Sequence, residues 1–189
     1  MKKLIVCLTG MPGSGKTVVS EVAREMGLKV YSMGDAVRKE VLRRESVLDW
    51  RSVRKIMFKL REEEGPRAVA KLVVKEMRGD EWSIAVVEGV RSLDEVEEFK
   101  SMGDVIVLAV HSSPRDRYVR MRARGREGDP KSLEELRRRD LDELSLGLGN
   151  VIALADYVIV NDSSLEDLRS RARHVIERIV GGLTREDKS

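Results

Sequence analysis

Residues Gly10 to Thr17 read G-M-P-G-S-G-K-T, which matches G-x-x-x-x-G-K-[ST] in full. That spacing belongs to a phosphate-binding loop. Its glycines let the backbone curl round a phosphate chain and turn its N–H groups inward, at the positive end of a helix. Gly10, Met11, Pro12, Gly13, Ser14, Gly15, Lys16, Thr17 and Val18 are the residues that would cradle the phosphates. Lys16 is placed for the β- and γ-phosphates, and the Thr17 hydroxyl for Mg²⁺. Such a loop needs a strand before it and a helix after it. The apolar run Leu4–Leu8 and the amphipathic stretch Val18–Met26 supply both. The chain is therefore expected to bind a nucleoside triphosphate, most simply ATP, with Mg²⁺.

Three further stretches carry groups suited to phosphate chemistry. Ser32-Met33-Gly34-Asp35-Ala36-Val37-Arg38 follows a second apolar run, and Glu88-Gly89-Val90-Arg91-Ser92 follows a third. Arg115 to Arg124 is dense in arginine. Guanidinium groups can fork onto two phosphate oxygens. Each stretch lies at the carboxyl end of a strand or on the helix just beyond it, the edge where open α/β sheets bind ligands. Within the arginine run, Asp116 is expected to pair with Arg120 one helical turn on. Arg137-Arg138-Arg139 reads as a solvated charge run, with a lid contact as the alternative, and His111 and His174 as lone structural residues.

The elements that must position these groups are legible as a pattern. Five runs read as strands: Leu4–Leu8, Lys29–Tyr31, Ile84–Val87, Val105–Val110 and Tyr157–Val160. Most are Val/Ile-rich and nearly continuous, which suits strands buried on both faces. Helical patterns alternate with them, so the fold expected is α/β with a parallel sheet between helical layers. Two intervals interrupt the alternation. Between the second and third strands, helices are expected at Gly34–Arg44, Leu48–Glu64 and Pro66–Arg78, with Gly65-Pro66 dividing the last two. Val53, Ile56, Met57 and Leu60 share one apolar face there and read as core. The second interval, Arg115–Leu148, has a polar middle rich in breakers, Gly125–Pro130, expected to be a mobile loop. A final helix is expected over Leu165–Val180, after Asn161-Asp162-Ser163-Ser164, with fraying beyond Gly181.

Composition narrows the class. Of 189 residues, 41% are hydrophobic, enough for one sizeable core. The 36 basic and 33 acidic residues leave a net charge of only +3, weak support for a nucleic-acid partner. Charged residues make up 37%, with no Gln and two Asn, a profile that suits a thermophile. The single cysteine, Cys7, falls mid-strand and reads as core, so no disulfide framework is expected and a cytoplasmic location fits. Met1-Lys2-Lys3 resembles the start of a signal peptide. The apolar run that follows stops at Gly10, too short for that or for a membrane span.

The phosphate loop, S-M-G-D-A-V-R and V-V-E-G-V-R-S together resemble the adenylate-kinase and nucleoside monophosphate kinase family. The segment A-D-Y-V-I-V-N-D-S-S-L-E-D-L at 155–168 is closer to dephospho-CoA kinases. Over most of its length the chain looks like an archaeal group of P-loop proteins of unassigned activity, related to adenylate kinases. The resemblance implies a P-loop NTPase three-layer sandwich: one kinase domain over 1–189, a helical acceptor-binding insertion at 34–78 and a short lid at 125–140. It implies that Arg38 and Arg91 hold the acceptor's phosphate. Asp35 would sit at the acceptor-site entrance and cap the helix bearing Arg38. Arg120 would lie against the donor base, Arg124 would reach the transferring phosphoryl group, and Glu88 would orient Mg²⁺. In this chain Glu88 stands where many relatives have Asp, and Val90 runs straight into Arg91 without the usual proline.

The activity expected is an ATP-dependent small-molecule kinase, with Lys16, Arg91 and Arg124 catalytic. The partners are a nucleoside triphosphate and a small phosphate-bearing acceptor, most simply a nucleoside monophosphate. Transfer to a hydroxyl, as in dephospho-CoA kinase, is one alternative. A nucleotide-binding switch or weak ATPase acting through a protein or RNA is the other.

Overall fold

The computed structural model describes residues 3–45 and 47–186, with side chains to residue 182. Met1 and Lys2, the basic start noted above, lie outside the described residues. The strands are β1 (Leu4–Thr9), β2 (Lys29–Ser32), β3 (Ile84–Glu88), β4 (Asp104–His111) and β5 (Tyr157–Val160). They form one parallel sheet in the order β2-β3-β1-β4-β5. The expected five-stranded α/β sheet is thus present, each strand within a residue or so of the run that announced it.

β1 lies at the centre, and all six of its side chains are buried. Its residues alternate between two cores. Ile5 and Cys7 face one, with α2 (Met33–Arg44), α3 (Trp50–Glu64), α4 (Ala68–Arg78), α5 (Leu93–Lys100) and α8 (Leu148–Ala153). Leu4, Val6 and Leu8 face the other, with α1 (Lys16–Glu25) and α9 (Leu165–Glu186). Both faces being covered explains why the strands read as unbroken apolar runs rather than as alternating ones. Cys7 is core, as expected, and burial pushes its thiol well up, so it is an inert small hydrophobe.

The first interval forms the three helices α2, α3 and α4, and Ile56, Met57 and Leu60 are buried with Val53 packed beside them. Pro66 stands two residues before α4, not in it: Gly65 ends α3 at φ 86 and a turn intervenes. In the second interval, α6 (Pro114–Arg124) and α7 (Leu133–Ser145) flank the loop 125–132. Residues 133–140, read from the sequence as lid, form the first turns of α7. Of the residues beyond Gly181 expected to fray, 182–186 are helical as the end of α9, and 187–189 lie outside the described residues.

Candidate functional site

β1's neighbours, β3 and β4, belong to crossovers that leave it in opposite directions, so the sheet's switch point lies at the carboxyl end of β1. The phosphate loop occupies that point, between Thr9 and Lys16. Two glycines there hold backbone that a side chain would resist. Gly15, the N-cap of α1, has φ 110, and a Cβ on it would stand 2.6 Å from Asn161 Nδ2. Gly13 has φ 78, and a Cβ would stand 2.8 Å from Met121 Sδ. The loop is thus pressed against α6 and the end of β5. Asn161 Nδ2 donates to Ser14 O at 2.8 Å, and Arg117 Nη1 donates to Pro12 O at 3.0 Å. Thr9 Oγ1 donates to Val90 O at 2.7 Å and ties the loop's start to the end of β3.

Lys16 Nζ donates to Gly10 O at 2.6 Å and Met11 O at 3.1 Å. Its ammonium is therefore held by the loop that would wrap a phosphate. Burial, then the Arg91 guanidinium, lowers the Lys16 pKa to about 8, with Glu143 and Glu88 opposing. The Ser14 hydroxyl is buried and makes no hydrogen bond among the described residues.

Glu88 closes β3, and its carboxylate accepts from Ser20 Oγ at 2.7 Å and from Thr17 Oγ1 at 3.2 Å. A carboxylate and a hydroxyl facing one cavity are hard oxygen donors, a set that fits Mg²⁺ beside bound phosphates. Arg91 follows three residues on. Its Nε donates to Glu143 Oε2 at 2.7 Å and its Nη1 to Gly89 O at 3.2 Å. Its backbone N–H donates to Glu95 Oε2 at 2.7 Å, which fixes the turn that aims it. Burial pushes Glu143 up, but Arg91 and then Lys16 hold it below the usual carboxylate range.

These groups open onto one cavity of about 370 Å³. Lys16, Thr17, Glu88, Arg91, Arg120 and Arg124 all line it, with Gly10, Pro12, Gly13, Gly15 and Val18 of the loop. Met11 and Ser14 do not line it; each contributes a backbone carbonyl to the bonds above. Arg120 is held by Ser112 Oγ at 2.7 Å and Asn161 O at 2.9 Å. Arg124 forks onto Asp129 at 2.8 and 2.7 Å.

Arg38 and Asp35 are not brought into this cavity. They form an exposed pair, Arg38 Nε donating to Asp35 Oδ1 at 3.0 Å. Asp35 does not cap its helix. Ser32 does, accepting from the Asp35 N–H at 3.1 Å, because the serine precedes the helix and its oxygen can reach back over the first turn. The expected Asp116–Arg120 pair is also absent. Asp116 accepts from Ser113 Oγ at 2.7 Å, while Arg120 turns to β5. His111 and His174 are both exposed.

Sequence reasoning passed over several residues of the site. Arg117 is buried and forks onto Asp140 of α7 at 2.8 and 2.6 Å, so one side chain joins the phosphate loop to α7. Arg139 lines the cavity instead of joining a solvated run. It donates to Gly128 O at 3.3 Å, and no carboxylate pairs with it among the described residues. Burial lowers its pKa despite the opposing pull of Glu143. Asn161, read as part of a helix start, is the loop's brace. Ser164 makes the cap, accepting from the Asp167 N–H at 3.1 Å. The available signal lay in α7, where Asp140 and Glu143 are spaced to share a face.

Comparison with known proteins agrees with this fold. A family model described as an AAA domain matches residues 6–142. A protein named UPF0200 protein from Hyperthermus butylicus is 49% identical over 179 residues, 95% of this chain and 96% of that one. Another, from Staphylothermus marinus, is 44% identical over 180 residues, 95% of each chain. Among solved structures, TT1252 from Thermus thermophilus superposes with a TM-score of 0.65 at 22% identity, covering 94% of this chain and 98% of that one. Shikimate kinase from Acinetobacter baumannii, solved with shikimate, superposes with a TM-score of 0.62 at 18% identity, covering 96% and 95%. The fold is shared with these structures, and identity along nearly the whole length of both chains places this chain in the UPF0200 family.

Proposed function

We propose that this protein is an ATP-dependent small-molecule kinase that passes the γ-phosphoryl group to a phosphate-bearing acceptor, in the simplest case a nucleoside monophosphate. One observation carries the reading: a single cavity joins the lysine of a phosphate loop to an arginine at the end of the neighbouring strand, with Glu88 and Thr17 between them. The resemblance to adenylate kinases supports the acceptor class.

Phosphoryl transfer asks the protein for alignment, charge neutralisation and exclusion of water. The loop N–H groups and Lys16 hold the β- and γ-phosphates. Thr17 and Glu88 would hold Mg²⁺, which would supply positive charge to offset that of the phosphates. Arg91 meets the acceptor's phosphate and the equatorial oxygens in transfer. Arg124, released from Asp129, and the unpaired Arg139 add charge from the lid side. Arg120 borders the donor base. Asp35 and Arg38 guard the acceptor entrance and join the site when α2–α4 close. A phosphate acceptor needs no general base, because its oxygen is already anionic. The location that fits is cytoplasmic; no helix among the described residues is long and apolar enough to cross a membrane.

A second reading keeps the chemistry and gives the acceptor a hydroxyl. It is favoured by the carboxylates that already pair with both acceptor-side arginines, Asp35 on Arg38 and Glu143 on Arg91. ADP formation from ATP and Mg²⁺, measured against a panel of nucleoside monophosphates and dephospho-CoA, separates the readings. Acceleration by a monophosphate supports the first and acceleration by dephospho-CoA the second. Turnover that no small acceptor accelerates contradicts both.

A further inference from the structure

Glu143 has no role in the transfer to a phosphate-bearing acceptor set out above. Its side chain is 9% exposed and lines a cavity built for phosphates. A carboxylate there would repel an incoming phosphate group. Yet it is held firmly, taking the Nε of Arg91 at 2.7 Å. The Nη1 of Arg91 is taken by Gly89 O and its Nη2 makes no bond among the described residues, so a phosphate can fork onto the Nε–Nη2 edge only by displacing Glu143. The carboxylate thus occupies one edge of the guanidinium that the proposed reading assigns to the acceptor.

We propose that Glu143 is a specificity-determining residue: an internal anion that holds the Arg91 fork until an acceptor phosphate replaces it. The inference rests on the proposed role of Arg91 as an anion subsite. Carboxylate and phosphate compete for the same planar donor face, and phosphate wins only with enough charge to offset the displaced ion pair. Weakly charged acceptors are therefore turned away. The exchange also reaches the donor side. Asp140 stands on the same helix three residues earlier and forks onto Arg117, which holds Pro12 O of the phosphate loop. Freeing Glu143 loosens α7 at one of its two ionic anchors on the nucleotide site.

Inorganic phosphate, titrated calorimetrically into protein saturated with ADP and Mg²⁺, tests this without requiring turnover. Glu143→Gln keeps the side chain's shape and removes its charge. Phosphate should bind it at least about tenfold more tightly than the wild type, about 1.4 kcal/mol. In an Arg91→Ala background the gain from the same substitution should shrink severalfold, to what relieved repulsion alone supplies. A residue that merely braces Arg91 would behave in the opposite way, losing phosphate affinity when neutralised. Unchanged or weaker binding in Glu143→Gln, or a gain that is undiminished in Arg91→Ala, overturns the proposal. If Glu143→Gln does not fold, Glu143→Asp, which keeps the charge but draws it back by one methylene, should show a smaller gain; no gain overturns the proposal. A failure of acceptor turnover, by contrast, would strike the kinase reading and leave the phosphate titration standing.

Discussion

Lys16 is the residue on which the proposed chemistry turns, and its surroundings make it testable twice. Replacing it with alanine removes a charge from the developing transition state, worth about a hundredfold in rate or more. Lys16→Ala should lose triphosphate turnover by at least that factor while its circular dichroism stays native. The second test uses pH. With a pKa lowered to about 8, first by burial and then by Arg91, free Lys16 sheds its proton above that pH. A bound triphosphate favours the cation and raises the pKa again. Binding at pH 8.5 should therefore take up protons, and affinity should fall as pH rises through 8. Calorimetry in buffers of different ionisation enthalpy reads the uptake; proton release would contradict it. Arg91→Ala should raise the acceptor KM and leave the ATP KM nearly unchanged, with lysine a poor rescue because it lacks the two-pronged geometry. Residues of the phosphate loop were legible because their chemistry is local: eight consecutive positions carry it. Glu143 and Arg139 were not. Glu143 meets Arg91 across 52 positions, and only the folded chain turns Arg139 inward from a run of three arginines.

α7 is the element that joins the two halves of the site. Its buried Asp140–Arg117 fork reaches Pro12 of the phosphate loop, and its Glu143 reaches Arg91. Asp140→Asn would leave Arg117 charged and unpaired in the interior, a loss of about 3 kcal/mol. We expect a lower melting temperature and a higher ATP KM; a change in stability alone would mean the fork does not position the loop. The loop 125–132 touches the first interval as well, since Gly128 lies against the ring of Trp50, and Arg54 of α3 pairs with Asp142 of α7 at 2.7 Å. Hydrogen exchange should slow in 34–78 and in 125–132 when a bisubstrate analogue binds, and scarcely change in the strands. Full protection of both by ATP alone would favour a switch protein. Strands were easy to read at this scale because burial on both faces leaves continuous apolar runs. α7 was hidden because its sequence is polar and only Leu136 and Glu143 are buried along it.

Across the whole molecule, charge is organised into networks rather than spread evenly. Glu40 takes Arg43 and Arg44, and Arg44 reaches on to Glu63 and Glu64. Arg169 gathers Glu25 and Glu21 between α9 and α1. Such networks suit hot environments, where desolvating an ion costs less. Arg43, chiefly, holds the Glu40 carboxyl down at about 2. Its folded pKa is depressed, so the stability it contributes is present above pH 4.5 and lost as pH falls toward 2. Glu40→Gln should melt lower than the wild type at pH 7, and the gap should close over that acid window. The central claim concerns the fate of one phosphoryl group. Incubating the protein with Mg²⁺, AMP and ATP labelled in its γ-phosphoryl group, then separating the products, follows that group directly. Label recovered in newly formed ADP, and absent with Lys16→Ala, is the result the account requires; label released as inorganic phosphate whatever acceptor is present would contradict it.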